Sequence, residues 1–334
     1  MPFIRTMQGD IAPENLGFTY AHEHIVCRPP HWVERGESDL LLDDPEKSCQ
    51  EVALFREAGG QSIVDATAID YGRDPEAVCA IAQKTGVQII GTAGFNKGFL
   101  WDAKMPGQER TFADWIDSES EDRLAQFVID EVEQGMWGIG AAYDDVHPTK
   151  VRAGQVKFGT GYNSMTPLEI KTIRAACRAH LQTGAPVHSH TEAGTMALEQ
   201  MRIIREEGVD LSCVSFGHMD RNPDPWMHRR VAETGAYLCF DGIAKVKYNP
   251  ESVRIRCILD LVKAGHQKQI LISGDTARRS YYSTYTHAVG LPYIITTWIP
   301  RLMEQAEEEG IDGGQLVKDL FINNPRACMT FRKG

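Results

Sequence analysis

Histidines and one aspartate occur where short apolar segments of the sequence end. The segment FTYAHEHIV, residues 18–26, holds His22 and His24 one residue apart. On a strand, residues i and i+2 face the same way, so both imidazoles would project together, with Glu23 turned to the other face. Residues of the same kind lie in or after later apolar segments: His188, His190, His218 and Asp275. Imidazole and carboxylate are ligands of zinc and manganese, so the pattern predicts a metal site, with purely structural histidines as the alternative.

Lys157 stands inside the apolar segment GQVKFG. Burying a charged amine there would be costly, and a side chain that reaches the surface is the ordinary alternative. The set of imidazoles and carboxylate exceeds what one tetrahedral site with an open position needs. Two metal ions would use the set and would need a bridging anion. Lys157 could supply that anion if carbon dioxide carboxylated its amine.

Eight apolar segments of strand length alternate with amphipathic helical segments and would position these residues. The strand segments are FTYAHEH, SIVDAT, QIIGTAG, GQVKFG, PVHSHT, CVSFGH, AYLCFDG and ILISGD. This alternation predicts an α/β fold, a (β/α)8 TIM barrel, in which catalytic residues meet at the carboxyl ends of the strands. An open doubly wound sheet is the alternative, but no GxGxxG or Walker motif supports it.

The prediction is one domain over residues 1–334, with long loops at 96–119 and 140–165 and a helical tail after residue 290. Helix boundaries are readable in places. In TPLEIKTIRAACRAHLQTG, Thr166 is a predicted N-cap that forms a capping box with Glu169, and Gly184 follows the helix end.

Composition indicates a globular protein, with 42% hydrophobic and 24% charged residues. No apolar run approaches the roughly 20 residues that span a bilayer. A net charge of −11 argues against nucleic acid and anionic membranes as partners. The N-terminus lacks the pattern of a signal peptide, and the eight cysteines form no CxxC pair. Reduced cysteines and a cytoplasmic location are therefore predicted.

Several motifs together resemble one known family. They are AHEH at 21–24, RAGQVK at 152–157, MTPLE and TGAPVHSHT within 165–191, FGHMD at 216–220, ILISGD at 270–275 and NNPRACM near the C-terminus. They run in order along almost the whole chain. On these motifs the chain is identified as a member of the phosphotriesterase-like family of the amidohydrolase superfamily.

The resemblance implies two divalent metal ions, zinc first and manganese or cobalt as alternatives, bridged by carboxylated Lys157. The implied ligands are His22, His24 and Asp275 for the more buried ion and His190 and His218 for the more exposed one. His188 falls on no ligand position of the family and is interpreted as a structural residue of its strand. A hydroxide that bridges the ions would attack the substrate, and Asp275 would carry the proton to the leaving group.

Basic and phenolic residues follow the last two strand segments: Lys245, Lys247, Arg278 and Tyr281. Barrels often bind phosphate in these loops, and ammonium, guanidinium and phenol groups suit a phosphate dianion. Solvated surface charge is the alternative. The spacing also resembles the family branch that opens phosphorylated sugar lactones, in which a lysine, an arginine and a tyrosine hold the phosphate. Arg278 and Tyr281 match that spacing, and Lys247 is preferred to Lys245.

Asn96 and Lys97, which follow the third strand segment, are candidates for contacts with sugar hydroxyls or for a loop cap. The expected reaction is hydrolysis of a phosphorylated sugar lactone, such as a pentono-1,4-lactone 5-phosphate. The same metal site would also serve a neutral lactone, a carboxylic ester, an organophosphate or a phosphodiester, and a protein that binds metal without turnover is a rival of another class. Pairing into a homodimer is left open, with LPYIITTWIP as an apolar tail segment.

Overall fold

The computed structural model describes residues 1–139, 143 and 145–332. Residues 140–142 and 144, within the long loop predicted at 140–165, and residues 333–334, at the end of the predicted domain, lie outside the described residues. The prediction of one domain over 1–334 stays a prediction.

Short strands alternate with helices along the chain. The strands are β1 (Ile4–Thr6), β2 (Gly9–Ile11), β3 (Thr19–Glu23), β4 (Ser62–Asp65), β5 (Gln88–Ile90), β6 (Thr92–Gly94), β7 (Trp137–Ile139), β8 (Val146–Pro148), β9 (Gln155–Thr160), β10 (Val187–Thr191), β11 (Val214–Phe216), β12 (Tyr237–Phe240) and β13 (Ile270–Ile272). The α-helices are α1 (Pro30–Glu34), α2 (Pro45–Glu57), α3 (Pro75–Thr85), α4 (Phe112–Ser118), α5 (Glu121–Glu133), α6 (Pro167–Thr183), α7 (Ala197–Glu206), α8 (Pro225–Ala232), α9 (Glu251–Lys263), α10 (Ile299–Glu308), α11 (Gly313–Lys318) and α12 (Asn324–Met329).

Parallel strands form a TIM barrel, as predicted. One ladder runs β3-β4-β5 and the other β6-β9-β10-β11-β12-β13. The third barrel strand is split at Gly91 into β5, which pairs with β4, and β6, which pairs with β9. Contacts between the ends of β3 and β13 join the first and last strands: His22 N donates to Ser273 Oγ, and Asp275 N donates to His22 O. The short pairs β1-β2 and β7-β8 are antiparallel.

The alternation of side chains along the strands decides what reaches the barrel interior. In β9, Val156 and Phe158 belong to the main apolar cluster, together with Ile173 and Ala176 of α6. Lys157, between them, lines the cavity at the carboxyl ends of the strands instead. A period of two therefore sends one set of side chains to the helices and the other to the site.

The structure shows why α6 begins and ends where it does. Thr166 accepts a hydrogen bond from Glu169 N, and the Glu169 carboxylate accepts one from Thr166 N. Gly184 ends the helix in the left-handed conformation, at φ 77°. Among the described residues, no helix combines the length and the apolar composition that crossing a bilayer requires.

Candidate active site

The barrel brings all the predicted metal ligands together at the carboxyl ends of the strands. They are His22, His24, Lys157, His190, His218 and Asp275, and all six are buried and line the same cavity. His218 and Asp275 follow β11 and β13 in left-handed backbone conformations, at φ 61° and 44°. A non-glycine residue rarely adopts this conformation, which here turns both side chains into the cavity.

Three of these residues form a compact cluster. His22 Nε2 lies 3.7 Å and His24 Nε2 3.5 Å from the same atom, Asp275 Oδ1. One ligand atom from each residue lies within 4.8 Å of the others. Two imidazole nitrogens and a carboxylate oxygen at this spacing are a donor set that fits a divalent cation.

His190 and His218 face each other across the site, with His190 Nδ1 2.9 Å from His218 Nε2. Carboxylates hold the remaining nitrogens: Glu192 Oε2 lies 3.0 Å from His190 Nε2, and Asp241 Oδ1 lies 2.7 Å from His218 Nδ1. When each ring donates its outward N–H to its carboxylate, its other nitrogen can offer a lone pair to a cation. Such pairing is typical of histidines that bind metal.

The first-strand histidines are supported in the same way. His24 Nδ1 lies 2.8 Å from Thr67 Oγ1, which in turn hydrogen bonds to Asp65. His22 Nδ1 lies 3.2 Å from Asp241 Oδ2 and 3.0 Å from His188 Nε2. Asp241 thus contacts one histidine from each half of the site.

Lys157 is 1% exposed, and its Nζ donates to Ala66 O at 2.7 Å. Burial lowers the pKa of Lys157 to about 8, although surrounding aspartates oppose this shift. At pH 7 about a tenth of the amine is therefore neutral, and carboxylation by carbon dioxide requires the neutral amine.

Asp275 is surrounded by positive charge. Its carboxylate contacts Lys245 Nζ and accepts from Arg221 Nη2 at 2.7 Å. Burial alone would raise the pKa of Asp275, but Lys245, with His24, His218 and Arg221 nearby, holds it well below its usual range. The side chain is therefore an ionised acceptor.

Glu23 fastens the turn that carries Asp275. It is fully buried and accepts from Ser273 Oγ at 2.7 Å, Gly274 N at 2.6 Å, Thr276 N at 2.8 Å and Thr276 Oγ1. Both carboxylate oxygens are thus used by residues on either side of Asp275. We call residues 274–282 the strand-8 loop.

The predicted anion-binding residues line the same cavity as the ligands, on the side of the strand-8 loop. Lys245 is buried beside Asp275, whereas Lys247 is exposed, with its Nζ 5.6 Å from the centre of the Tyr281 ring. Arg278 pairs with Asp39 at 3.2 Å. The geometry thus favours Lys245 over the preferred Lys247 as the lysine beside the reacting groups, because it lies deeper in the cavity.

Residues 95–101, which we call the strand-3 loop, contribute another part of the cavity wall. Asn96 is buried, and its Oδ1 has no hydrogen-bond partner within the described part of the chain. Its backbone N donates to both oxygens of Asp70 at 2.9 Å. Lys97 Nζ contacts Glu192, and exposed Phe99 packs on His31, with ring centres 4.6 Å apart.

Four residues that the sequence did not single out as functional support the site: Glu23, Glu192, Arg221 and Asp241. Asp241 had a visible signal, since it is a carboxylate directly after the apolar segment AYLCF, near the carboxyl end of a predicted strand. The contacts of Glu23 and Arg221 span 250 and 54 residues of sequence, and no local pattern reveals such pairs.

Comparison with known proteins agrees with this geometry. The model of the Phosphotriesterase family matches residues 2–329. A phospho-furanose lactonase of Mycoplasmopsis synoviae (strain 53) is 31% identical over 338 residues, which cover 98% of this chain and 92% of that protein.

Two solved structures are also similar. The lactonase Lmo2620 from Listeria monocytogenes superposes with a TM-score of 0.94 at 56% identity, over 99% of this chain and 100% of that one. The phosphotriesterase homology protein from Escherichia coli, complexed with phosphate in its active site, has a TM-score of 0.83 at 29% identity, over 94% of this chain and 99% of that one. The chain therefore belongs to the phosphotriesterase family, a family of metal-dependent hydrolases, and is itself a hydrolase.

Proposed function

We propose that this protein is a lactonase that opens a phosphorylated furanose lactone, such as a pentono-1,4-lactone 5-phosphate. The observation that carries the proposal is the position of Lys245, Arg278 and Tyr281 in the cavity that also holds Asp275. A protein of net charge −11 here gathers cationic and phenolic groups beside its candidate metal ligands. The names of the phospho-furanose lactonase relatives support the same substrate class.

The donor set fits two divalent ions. His22, His24 and Asp275 would hold one, His190 and His218 the other, and Lys157 with a carboxylated amine would bridge them. When bound, the two ions supply a hydroxide at neutral pH and polarise the lactone carbonyl. Zinc suits these donors, and manganese and cobalt accept the same ligand types.

The chain's own residues would then move the proton. The ionised Asp275 carboxylate accepts the proton released as the nucleophile adds to the lactone carbon. It returns that proton to the ring oxygen, which leaves as a hydroxyl when the ester C–O bond breaks. Lys245 and Arg221, which contact this carboxylate, keep it ionised before the attack.

The anion-binding wall would orient the substrate. A phosphate dianion between Lys245, Arg278 and Tyr281 would receive ammonium, guanidinium and phenol donors. Asn96, which lines the same cavity, has a buried oxygen without a partner in the described structure and would pair with a sugar hydroxyl. Lys97 beside it would stay bound to Glu192 and contribute positive charge near that hydroxyl.

The test is hydrolysis of pentono- and hexonolactones with and without a terminal phosphate, followed as proton release by metal-loaded enzyme. The wild type is expected to prefer phosphorylated lactones. Arg278→Ala should lower kcat/KM for them by about 10- to 100-fold, the value of a charged hydrogen bond, and leave unphosphorylated lactones unaffected.

Arg279→Ala is the matched control. Arg279 pairs with Asp43 and with Leu41 O and does not line the cavity, so its loss should preserve the preference. Equal wild-type rates with and without phosphate would contradict the phosphate pocket. The metal site would then serve a neutral lactone or another ester.

A further inference from the structure

Glu192 joins the strand-3 loop to a candidate metal ligand. One of its oxygens, Oε2, lies 3.0 Å from His190 Nε2 and also contacts Lys97 Nζ. Glu192 directly follows β10, the strand that carries His190, at the start of a short 3₁₀ turn. A single carboxylate oxygen therefore serves both a buried histidine and a lysine of the cavity wall.

This contact selects the form of His190. When Nε2 carries the proton and donates to Glu192, Nδ1 keeps its lone pair. Nδ1 is the atom that faces His218 Nε2 at 2.9 Å, so the selected form presents a lone pair to the place where the more exposed ion would lie. A carboxylate acceptor also fixes the ring and raises the basicity of the ligand nitrogen.

His218 provides an internal comparison. Its acceptor is Asp241, which is fully buried. Asp241 lies 2.7 Å from His218 Nδ1 and also accepts a hydrogen bond from His218 N at 2.9 Å. Glu192 is instead 30% exposed at its side chain and shares its oxygen with Lys97. The two ligands of the more exposed ion are thus held in different ways, one by the core and one by a residue at the cavity wall.

We propose that Glu192 is a positioning residue that orients His190 toward the more exposed ion, and that Lys97 holds Glu192 in place for this task. The proposal rests on the proposed metal site and is independent of the substrate. Glu192 touches neither the reacting atoms nor the phosphate pocket. It acts through His190, and it makes affinity for one ion depend on a loop that also faces the substrate.

The experiment counts zinc ions per chain by elemental analysis, while free zinc is set with a chelating buffer. We expect Glu192→Leu to bind the first ion as the wild type does and the second about 10- to 100-fold more weakly. Glu192→Gln keeps an acceptor oxygen for His190 and should retain nearly wild-type affinity. Lys97→Met should weaken the second ion several-fold.

Glu199→Leu is the matched control, because Glu199 is an exposed carboxylate on the neighbouring helix α7, and it should change neither ion. Wild-type affinity for both ions in Glu192→Leu would overturn the proposal. Wild-type affinity for the second ion in Lys97→Met would show that Lys97 is not needed to hold Glu192 in place.

A second measurement needs no variant of Glu192. Nitrogen-15 NMR of the zinc-loaded wild type, with the His190 signal assigned by its loss in His190→Asn, reports which ring nitrogen carries the proton. Protonation at Nε2 is expected, and protonation at Nδ1 would overturn the proposal even if Glu192→Leu failed to fold. Zinc binding and ring protonation do not involve a lactone, so failure of the proposed function would leave both results standing.

Discussion

Two loops flank the cavity, and a buried carboxylate anchors each of them. Glu23 anchors the strand-8 loop through four donors from Ser273, Gly274 and Thr276. Asp70 anchors the strand-3 loop through Asn96 N and through Trp101 Nε1, at 2.6 Å. The two anchors use the same chemistry but hold different parts of their loops.

Glu23 binds residues on both sides of Asp275, so the group proposed to move the proton is fixed where it stands. Asp70 binds near the two ends of the strand-3 loop, and the middle is a 3₁₀ turn, Gly98–Leu100, whose first N–H donates to Glu169 Oε1 at 2.9 Å. There, Phe99 is 56% exposed, and Lys97 depends on Glu192. The difference indicates that the chain on both sides of Asp275 is held by one buried carboxylate, whereas the side chains of Lys97 and Phe99 lie between the two points that Asp70 holds.

The largest effect is expected from Glu23→Gln. An amide can accept at one oxygen, but its NH2 group would face donors that the second carboxylate oxygen now satisfies. Asp275 would then lose its position, and kcat should fall by about 10- to 100-fold with little change in KM. Steady-state kinetics on the phosphorylated lactone measures this split.

Glu51→Gln is the control for that change. Glu51 is a buried carboxylate that accepts from Ser283, Thr284 and Leu291, beyond the strand-8 loop, and kcat should stay near the wild-type value. A rise in KM at constant kcat in Glu23→Gln would show that Glu23 supports substrate binding and not the position of Asp275, and the contrast between the loops would fail.

Asn96→Ala should change KM and not kcat, and by a smaller factor than the change in kcat expected for Glu23→Gln. Removing one neutral hydrogen bond to the substrate should raise KM by up to about tenfold and leave kcat nearly unchanged. The same kinetic assay, run beside Glu23→Gln, compares the two loops directly. A loss of kcat as large as that in Glu23→Gln would assign chemistry to both walls.

The last prediction concerns Asp70, the anchor of the strand-3 loop, and the pH dependence of its contribution to stability. Burial raises the pKa of Asp70 to about 6, above its ordinary value of 3.8. Between these values the folded chain holds a proton that the unfolded chain has lost, so this group favours folding more as the pH falls from 7 to 4. The gain is at most about 3 kcal/mol in the free energy of unfolding.

Asp70→Asn removes that titration. In urea unfolding of metal-free protein from pH 4.5 to 7.5, the stability of the wild type relative to Asp70→Asn should increase as the pH falls through about 6. A difference that does not vary with pH would mean that burial does not raise the pKa of Asp70 in the folded protein, and this prediction would be wrong.

Much of the fold follows from local patterns that the structure confirms. Period-two alternation places Lys157 in the barrel interior, and the Thr166 capping box starts α6 where predicted. The strand-end positions of His22, His24 and Asp275 are equally local, and their side chains converge as expected.

The residues that support the ligands could not be predicted in this way, because their partners come from other strands. The choice between Lys245 and Lys247 has another cause. Both follow the end of β12, where strand alternation no longer applies, and Ala244 turns the chain at φ 70°. Both lysines line the cavity, and only the conformation of that turn decides which of them is buried beside Asp275.

The left-handed backbone at His218 and Asp275 bears on how this enzyme can evolve. Glycine adopts such a conformation without the steric cost that a Cβ brings. Selection for folding alone would therefore favour glycine at both positions, and glycine would delete a candidate metal ligand each time. At these two positions stability and chemistry oppose each other, so variants that gain stability there are expected to lose activity.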